Sequence, residues 1–180
     1  MKKYLCFLLL FAPYLGMAQY ADRAQGLPTD YPVPPKTANR LFYLQRNLNE
    51  NTVVYDLKFS SNGQVDTREP LDVYYIRYAL DGKPAGLKWI ERKMAYGYSS
   101  EHQGDGVFEV ELIAYPDRKI EVKKQKGRYR ALMQIAGRQA ELTHIYVYDD
   151  ESGLLPKVQY VDIYGKDATT GQELYERIRV

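Results

Sequence analysis

The sequence predicts a mainly β protein, built as an antiparallel barrel or a strongly curved sheet of about eight or nine strands, with one helix near residues 85–96. Three observations support this fold class. Short segments in which apolar and polar residues alternate recur after residue 39. Turn signals such as Asn62-Gly63 separate these segments. A single segment instead has its apolar residues at helical spacing.

Residues 1–18 are predicted to be a signal peptide. Two lysines follow the initiator methionine, an apolar stretch comes next, and Gly16 and Ala18 place small residues just before Gln19. We therefore expect cleavage after Ala18 and export to the periplasm or the extracellular space. The apolar stretch is shorter than the roughly 20 residues that a membrane-spanning helix needs, so the mature chain is not expected to span a membrane.

Loss of this leader would change the charge and the cysteine content. The chain has 25 basic and 23 acidic residues, and two of the basic residues lie in the leader, as does Cys6, the one cysteine. A mature chain with balanced charges lacks the basic surface that nucleic-acid binding requires. Without a thiol it cannot form disulfides, use a thiolate nucleophile or bind zinc through cysteine. We expect no cofactor and no metal site.

The mature chain is predicted to consist of a proline-rich flexible arm, residues 19–38, and a single β-rich domain, residues 39–180. Four prolines lie between positions 28 and 35, and proline neither continues a helix nor fits a central strand. The predicted strands of the domain cover residues 52–59, 71–80, 108–114, 119–124, 129–136, 139–148 and 157–164. Residues 172–180 fit either a strand or a helix.

Two of these strands form a predicted hairpin. Gly137-Arg138 is interpreted as a two-residue type II′ loop, because that turn places glycine first. The resulting register pairs Ile135 with Ala140, Met133 with Leu142, and Ala131 with His144. It places His144 on the apolar side of its strand, where a hydrogen-bonded core histidine is the expected role.

The predicted helix lies between Pro84, which suits a first helical position, and Gly97, which suits the residue after a helix. Leu87, Ile90 and Met94 recur at helical spacing between them. We expect this apolar side to pack on a sheet face or to close one end of a barrel.

A polar segment, residues 96–106, follows the predicted helix and is interpreted as a loop. It brings Glu101, His102 and Asp105 within a few residues, so these side chains are candidate ligands or acid–base groups at a barrel mouth. A solvated loop without such a role is the alternative.

Tyrosine is unusually frequent, with 18 residues in the chain. Its large apolar ring and polar hydroxyl suit sugars, peptides and amphipathic small molecules. The candidate ligand-binding residues are therefore Tyr75, Tyr96, Tyr98, Tyr146 and Tyr160, together with Glu101 and His102. The alternative is that these rings fill the interior of the fold.

Several segments resemble an uncharacterised family of small secreted bacterial proteins, domain-of-unknown-function family 4833. The similar segments are Asn51-Thr52-Val53-Val54-Tyr55-Asp56, Tyr74-Tyr75-Ile76-Arg77-Tyr78, Ala95-Tyr96-Gly97-Tyr98, Val158-Gln159-Tyr160-Val161-Asp162-Ile163-Tyr164-Gly165 and Thr170-Gly171. The resemblance implies a secreted or periplasmic domain. It brings no assigned activity and no catalytic residues.

Three functions follow as hypotheses. The first is a non-enzymatic β-domain that binds a small amphipathic molecule, a sugar or a peptide through tyrosine-rich surfaces. The second is a hydrolase of envelope or extracellular polymers that uses carboxylates such as Glu101 and Asp105. The third is a structural component of a surface assembly, which would expose a large apolar patch to an envelope protein partner. We favour the first, assign no catalytic residue, and leave the oligomeric state open.

Overall fold

The structure, a computed structural model, describes residues 31–150, 152 and 157–180. The predicted signal peptide and the first part of the predicted arm lie outside these residues. Most of the described chain is β-strand, as expected. No helix in this part is long and apolar enough to cross a membrane.

The elements follow one another in this order: β1 (Arg40–Arg46), β2 (Asn49–Leu57), β3 (Leu71–Ile76), β4 (Pro84–Gly86), α1 (Trp89–Glu91) with a π-helical turn (Arg92–Tyr96), β5 (Tyr98–Gly104), β6 (Val107–Leu112), β7 (Tyr115–Gln125), β8 (Arg128–Ile135), β9 (Arg138–Asp150), β10 (Lys157–Asp167) and β11 (Glu173–Arg179). The C-terminal segment, for which strand and helix were both open, is thus a strand.

Strand β9 is the centre of the sheet. Along one edge it pairs first with β8 and then with β1, while β10 pairs along its other edge and carries β11. From β8 the sheet continues to β5, and from β1 it continues to β4. We call these two parts the β5–β8 half and the β1–β4 half. They curl toward each other around one apolar core.

The predicted mainly β fold with a strongly curved sheet is confirmed, with two qualifications. The sheet is a half-barrel and does not close. It is also mixed, because β1 runs parallel to β9 whereas the other described pairs are antiparallel. A parallel pair needs a long crossover connection, and here that connection contains β2–β4, the helix and the whole β5–β8 half.

The predicted β8–β9 hairpin forms, but its register is wrong by two residues. Met133 pairs with Ala140 and Ile135 pairs with Arg138. The turn residues are Ala136 and Gly137, both with positive φ, which is the signature of a type I′ turn. An offset of two preserves the face of every side chain, so Met133, Ile135 and Ala140 are buried as expected.

A β-bulge in β9 overturns the predicted position of His144. Tyr164 pairs with His144 but the next residue, Gly165, pairs with Leu142, so Thr143 is an extra residue. Beyond the bulge the alternation is reversed. His144 therefore lies on the outer face of the sheet, where its ring stacks between Tyr43 at 4.6 Å and Tyr164 at 4.9 Å.

The helix is shorter than predicted and does not bury the predicted side. It begins at Trp89 because residues 84–86 form strand β4 beside β3. Leu87 packs against the core, but Ile90 and Met94 are exposed. Helical spacing identified the element, but only the tertiary contacts decide which of its sides is buried.

Residues 31–38 are the described part of the predicted arm, and they lie against the outer face of the sheet. The Tyr31 ring meets Tyr146 edge-on with centroids 6.1 Å apart. Gln45 donates a hydrogen bond to the Pro32 carbonyl oxygen at 3.0 Å. This part of the arm therefore covers β1 and β9.

Asp167 holds the turn between β10 and β11. Its carboxylate accepts hydrogen bonds from the backbone N–H groups of Thr170 at 2.8 Å and Thr169 at 2.9 Å, and it forms an ion pair with Arg138 at 2.6 Å. These bonds, the one from Thr170 first, lower the pKa of Asp167 to about 2.

The low pKa of Asp167 predicts that the folded protein loses part of its free energy of unfolding in acid. Asp167 binds its proton less readily in the folded state than in the unfolded state, where the ordinary value is 3.8. The stabilisation is thus fully present above about pH 4 and disappears as the pH falls toward 2. Urea unfolding at several pH values should show wild type more stable than Asp167→Asn at pH 6, with the difference shrinking in acid. A difference that is constant with pH would contradict this assignment.

Candidate functional site

A mostly apolar cavity lies between the two halves of the sheet. Its volume is about 260 Å³. Twelve of its lining residues are aliphatic and come from nearly every part of the fold: Leu44, Ala95, Leu112, Ala114, Ile120, Met133, Ile145, Val147, Val158, Val161, Ile163 and Val180. The cavity thus lies inside the curl of the sheet, where several strands contribute to one lining.

The cavity has a buried floor and an exposed mouth. Tyr55, Ile120 and Ile163 line it and are almost completely buried. Ala114 and Val180 also line it but are exposed to solvent. A molecule could therefore enter from one end and place an apolar body against the floor.

Polar groups are added to this apolar lining by Arg46, Arg118, Tyr96 and Tyr115. Arg46 forms an ion pair with Asp149 at 2.5 Å, and Arg118 forms one with Glu176. Although burial alone lowers the pKa of Arg46, its hydrogen bonds with Asp149 and Tyr96 raise that pKa above its ordinary value. Both guanidinium charges are therefore balanced before any ligand binds.

Tyr96 joins the cavity wall to the core. Its backbone carbonyl oxygen accepts a hydrogen bond from the Tyr55 hydroxyl at 3.0 Å, and its own hydroxyl accepts one from Arg46 at 3.4 Å. Tyr55 stacks on Phe42 with centroids 4.4 Å apart. Burial raises the pKa of the Tyr55 hydroxyl, so it stays protonated and remains a donor. These contacts fix the end of the π-helical turn against the cavity.

Tyr75 and Tyr98, both predicted site residues, do not line the cavity, although Tyr75 packs against Tyr96 in its wall. The Tyr75 ring meets Tyr96 edge-on with centroids 5.6 Å apart. The Tyr98 hydroxyl donates to the Leu71 carbonyl oxygen at 2.8 Å and accepts from the Leu71 N–H at 2.9 Å, which ties β5 to β3. Burial raises the pKa of Tyr98 to about 12. Of the predicted site residues, Tyr75 and Tyr96 are thus brought together, whereas Tyr98 lines a separate surface groove that also contains Trp89.

Tyr146 and Tyr160 lie on the opposite face of the sheet from the cavity. Tyr146 is buried beneath Tyr31. Tyr160 stacks on Tyr148 with centroids 4.9 Å apart, and the guanidinium of Arg177 lies 3.9 Å from its ring centroid. These two predicted residues therefore belong to an outer aromatic face and share no site with Tyr96.

Glu101 and His102 lie on strand β5, which corrects the expected loop. Both are exposed; Glu101 pairs across the strands with Glu109, and the His102 ring stacks on Phe108 at 4.9 Å. Asp105 occupies the hairpin turn with a φ of 50°. Strand β5 is the last strand of its half and is largely exposed, so it needs no alternation of apolar and polar residues. Its polar sequence was therefore interpreted as a loop. None of these three residues lines the cavity.

Within the described ranges, no group of three or more His, Cys, Asp or Glu side chains could hold a metal ion.

The sequence did not reveal the full lining of the cavity. The sequence analysis missed Arg46 and Arg118, because their role depends on which residues the two halves bring opposite each other. Ala95 was recognised only as part of a motif.

Comparison with known proteins adds the family of the chain. A family model described as "Domain of unknown function (DUF4833)" matches residues 42–177. No curated protein and no solved structure matches the chain. The match begins in β1 and ends in β11, and so includes both halves of the sheet and the cavity between them. Since it covers well over half of the sequence, the chain belongs to this family, the domain of unknown function DUF4833.

Proposed function

We propose that the protein is an exported, non-enzymatic domain that binds a small amphipathic molecule in the cavity between the two halves of the sheet. The observation that carries this proposal is the cavity itself, which combines a buried aliphatic floor with polar groups in its wall. Export is supported by the leader-like pattern of residues 1–18. Of the predicted binding residues, Tyr96 lines the proposed site, and Tyr75 packs against Tyr96.

The volume of the cavity favours a small ligand. A dry apolar cavity of about 150 Å³ is large enough to hold benzene. The present cavity, at about 260 Å³, has room for a longer apolar group, although it lies below the range of drug-sized pockets, which begins near 300 Å³. The aliphatic lining supports an alkyl or small aromatic body over a sugar, which would need many polar partners.

The charges around the cavity favour an uncharged polar end. Arg46 and Arg118 each have a carboxylate partner, so a charged ligand would leave one charge without compensation. Hydroxyl groups, in contrast, can share hydrogen bonds with a guanidinium and with Tyr115 or Tyr96, which also line the cavity. An alcohol is thus a suitable probe of the proposed site.

The hydrolase hypothesis has weaker support. Its carboxylates would have to converge on a cleft, whereas Glu101 and Asp105 lie on an exposed edge strand and its turn. Among the carboxylates close to the cavity, Asp149 and Glu176 are each bonded to an arginine. Both arrangements resemble structural ion pairs more than an acid–base pair with one raised pKa.

A series of straight-chain alcohols tests the proposal by isothermal titration. Affinity should rise about fourfold for each added CH₂ group until the cavity is full, because each buried CH₂ contributes about 0.8 kcal/mol. Ala95→Phe should place a ring in the cavity and weaken octanol binding at least about tenfold. The matched control is Ala79→Phe, since Ala79 is exposed and is not a lining residue.

The melting temperatures of both variants should be measured alongside the titrations, so that a loss of binding is not confused with a loss of folding. Equal octanol affinity for Ala95→Phe and Ala79→Phe would place binding elsewhere. Affinity that does not depend on chain length would show that apolar burial does not drive it.

A further inference from the structure

The short helix carries an exposed apolar patch. Trp89 is 70% exposed, Ile90 is 51% exposed and Met94 is 67% exposed, although all three are large apolar side chains. Ile113, from the β6–β7 turn, is also exposed and lines the same surface groove as Trp89. We call these four residues the helix patch. Three of the four lie within six consecutive residues, and large apolar residues exposed this close together are typical of an interaction surface.

Cations without a carboxylate partner surround the helix patch; of these, Lys93 lies 5.0 Å from the Trp89 ring centroid and Arg92 donates a hydrogen bond to the Val73 carbonyl oxygen at 3.3 Å. Lys88, Arg92 and Lys93 lie on the helix or directly before it, and Arg68 lines the groove beside Trp89. Within the described part of the chain, none of these four forms a salt bridge.

The nearby carboxylates offset these cations only in part. Glu69 forms an ion pair with Lys58. Glu91 accepts a hydrogen bond from the backbone N–H of Lys88 at 2.7 Å and keeps its negative charge, which offsets one of the four cations. The helix patch therefore has an apolar centre and a net positive rim.

We propose that the helix patch binds the surface of a membrane that contains anionic lipids. Tryptophan prefers the headgroup level of a bilayer, and Ile90 and Met94 can enter the upper part of the acyl region. The cations that lack a carboxylate partner match anionic headgroups, which attract basic residues close to the surface. A protein partner with a complementary apolar groove fits less well, since it would also have to neutralise four separate cations.

Trp89 is the only tryptophan of the chain, so its fluorescence reports on the helix patch directly. Vesicles of phosphatidylglycerol and phosphatidylcholine should shift its emission to shorter wavelength, whereas pure phosphatidylcholine vesicles should not. High salt should reverse the shift. Lipids brominated near the headgroup end of the acyl chain should quench the emission more strongly than lipids brominated near the terminal methyl group.

Charge reversal separates this surface from any other lipid-binding part of the chain. Lys88→Glu/Lys93→Glu should weaken the apparent partition coefficient at least about tenfold. The matched control is Lys124→Glu/Lys126→Glu, which changes the net charge equally. These lysines lie in the β7–β8 hairpin, near the end of β5 that is remote from the helix, as the close approach of Gly106 to Tyr129 shows.

The control variant should bind anionic vesicles like wild type. Three results would overturn the proposal. The first is a Trp89 emission that does not respond to anionic vesicles. The second is binding that is equally strong in both charge-reversal variants. A salt-insensitive dimer formed through the patch without lipid would also overturn it, because the apolar residues would then already be covered.

Discussion

Gly165→Ala should lower the free energy of unfolding by about 3 kcal/mol, the upper end of the usual cost of overpacking. An alanine Cβ at this position would lie 2.5 Å from Cδ1 of Ile135 and 2.6 Å from the carbonyl oxygen of Glu141. The isoleucine can change its rotamer, but the carbonyl oxygen belongs to paired β9 backbone beside the Thr143 bulge. The new methyl group would therefore have to push β10 away from β9.

Gly86→Ala is the matched control. Gly86 is also a strand glycine without a positive φ, but a Cβ there would meet no atom within 4 Å. Urea denaturation of both variants should show a large loss for Gly165→Ala and little change, or a small gain, for Gly86→Ala. If the two variants had equal stability, the close approach of β9 and β10 at the bulge would be wrong.

Asp162→Asn should lower the free energy of unfolding by about 3 kcal/mol, because it breaks a buried ion pair by removing one charge. Asp162 is fully buried, and the Arg177 guanidinium, only 18% exposed, donates two hydrogen bonds to it at 2.7 and 2.8 Å. The Tyr175 hydroxyl donates a further bond at 2.9 Å. Asparagine would leave the guanidinium partly buried without its counter-charge.

The β10–β11 hairpin itself offers the control for this prediction. Lys166 and Glu173 form an ion pair on the same two strands, but both side chains are exposed. Glu173→Gln should therefore change the stability by no more than about 0.5 kcal/mol. The double variant Asp162→Asn/Arg177→Met should recover part of the loss, since it removes the uncompensated charge as well. Equal effects of Asp162→Asn and Glu173→Gln would contradict the buried ion pair.

This ion pair also bears on the proposed site. Asp162 lies between Val161 and Ile163, which both line the cavity from β10. The bonds to Arg177 and Tyr175 fix the outer face of this strand, and so hold the two aliphatic side chains in place on the inner face. Asp162→Asn should therefore weaken octanol binding as well as stability, whereas Glu173→Gln should leave it unchanged.

Strand alternation was sufficient to predict which side chains of β8 and β9 are buried near their turn. Met133, Ile135 and Ala140 are in the core because the two-residue register error does not exchange the faces of a strand. The bulge at Thr143 could not be predicted in the same way. It lies opposite Gly165, which approaches the β9 backbone closely and comes from a different part of the chain.

The helix and strand β5 show a second limit of periodicity. Ile90 and Met94 have the spacing of a buried face, but both residues are exposed. Strand β5 has no apolar alternation because it lies at an edge, so it was interpreted as a loop. Hydrophobic periodicity predicts buried faces well only where an element is covered on one side.

The candidate site was predictable only in part, since a cavity between the two halves of the sheet depends on long-range contacts. Tyr96 was identified because tyrosine suits amphipathic ligands, and it does line the cavity. Tyr146 and Tyr160 were identified by the same argument, but they lie on the face of the sheet opposite the cavity. Arg46 and Arg118 are remote from each other in sequence, and only the parallel pairing of β1 with β9 and the curl of the sheet place both beside one cavity.

The central claim is that the cavity binds the apolar part of a small molecule. The most direct test is methyl NMR of the protein saturated with octanol. The proposal predicts nuclear Overhauser contacts from the octanol chain to the methyl groups of Met133, Val161 and Ile163, and none to exposed Ile113. Contacts confined to Ile113, or a saturated protein without contacts to the three cavity residues, would contradict it.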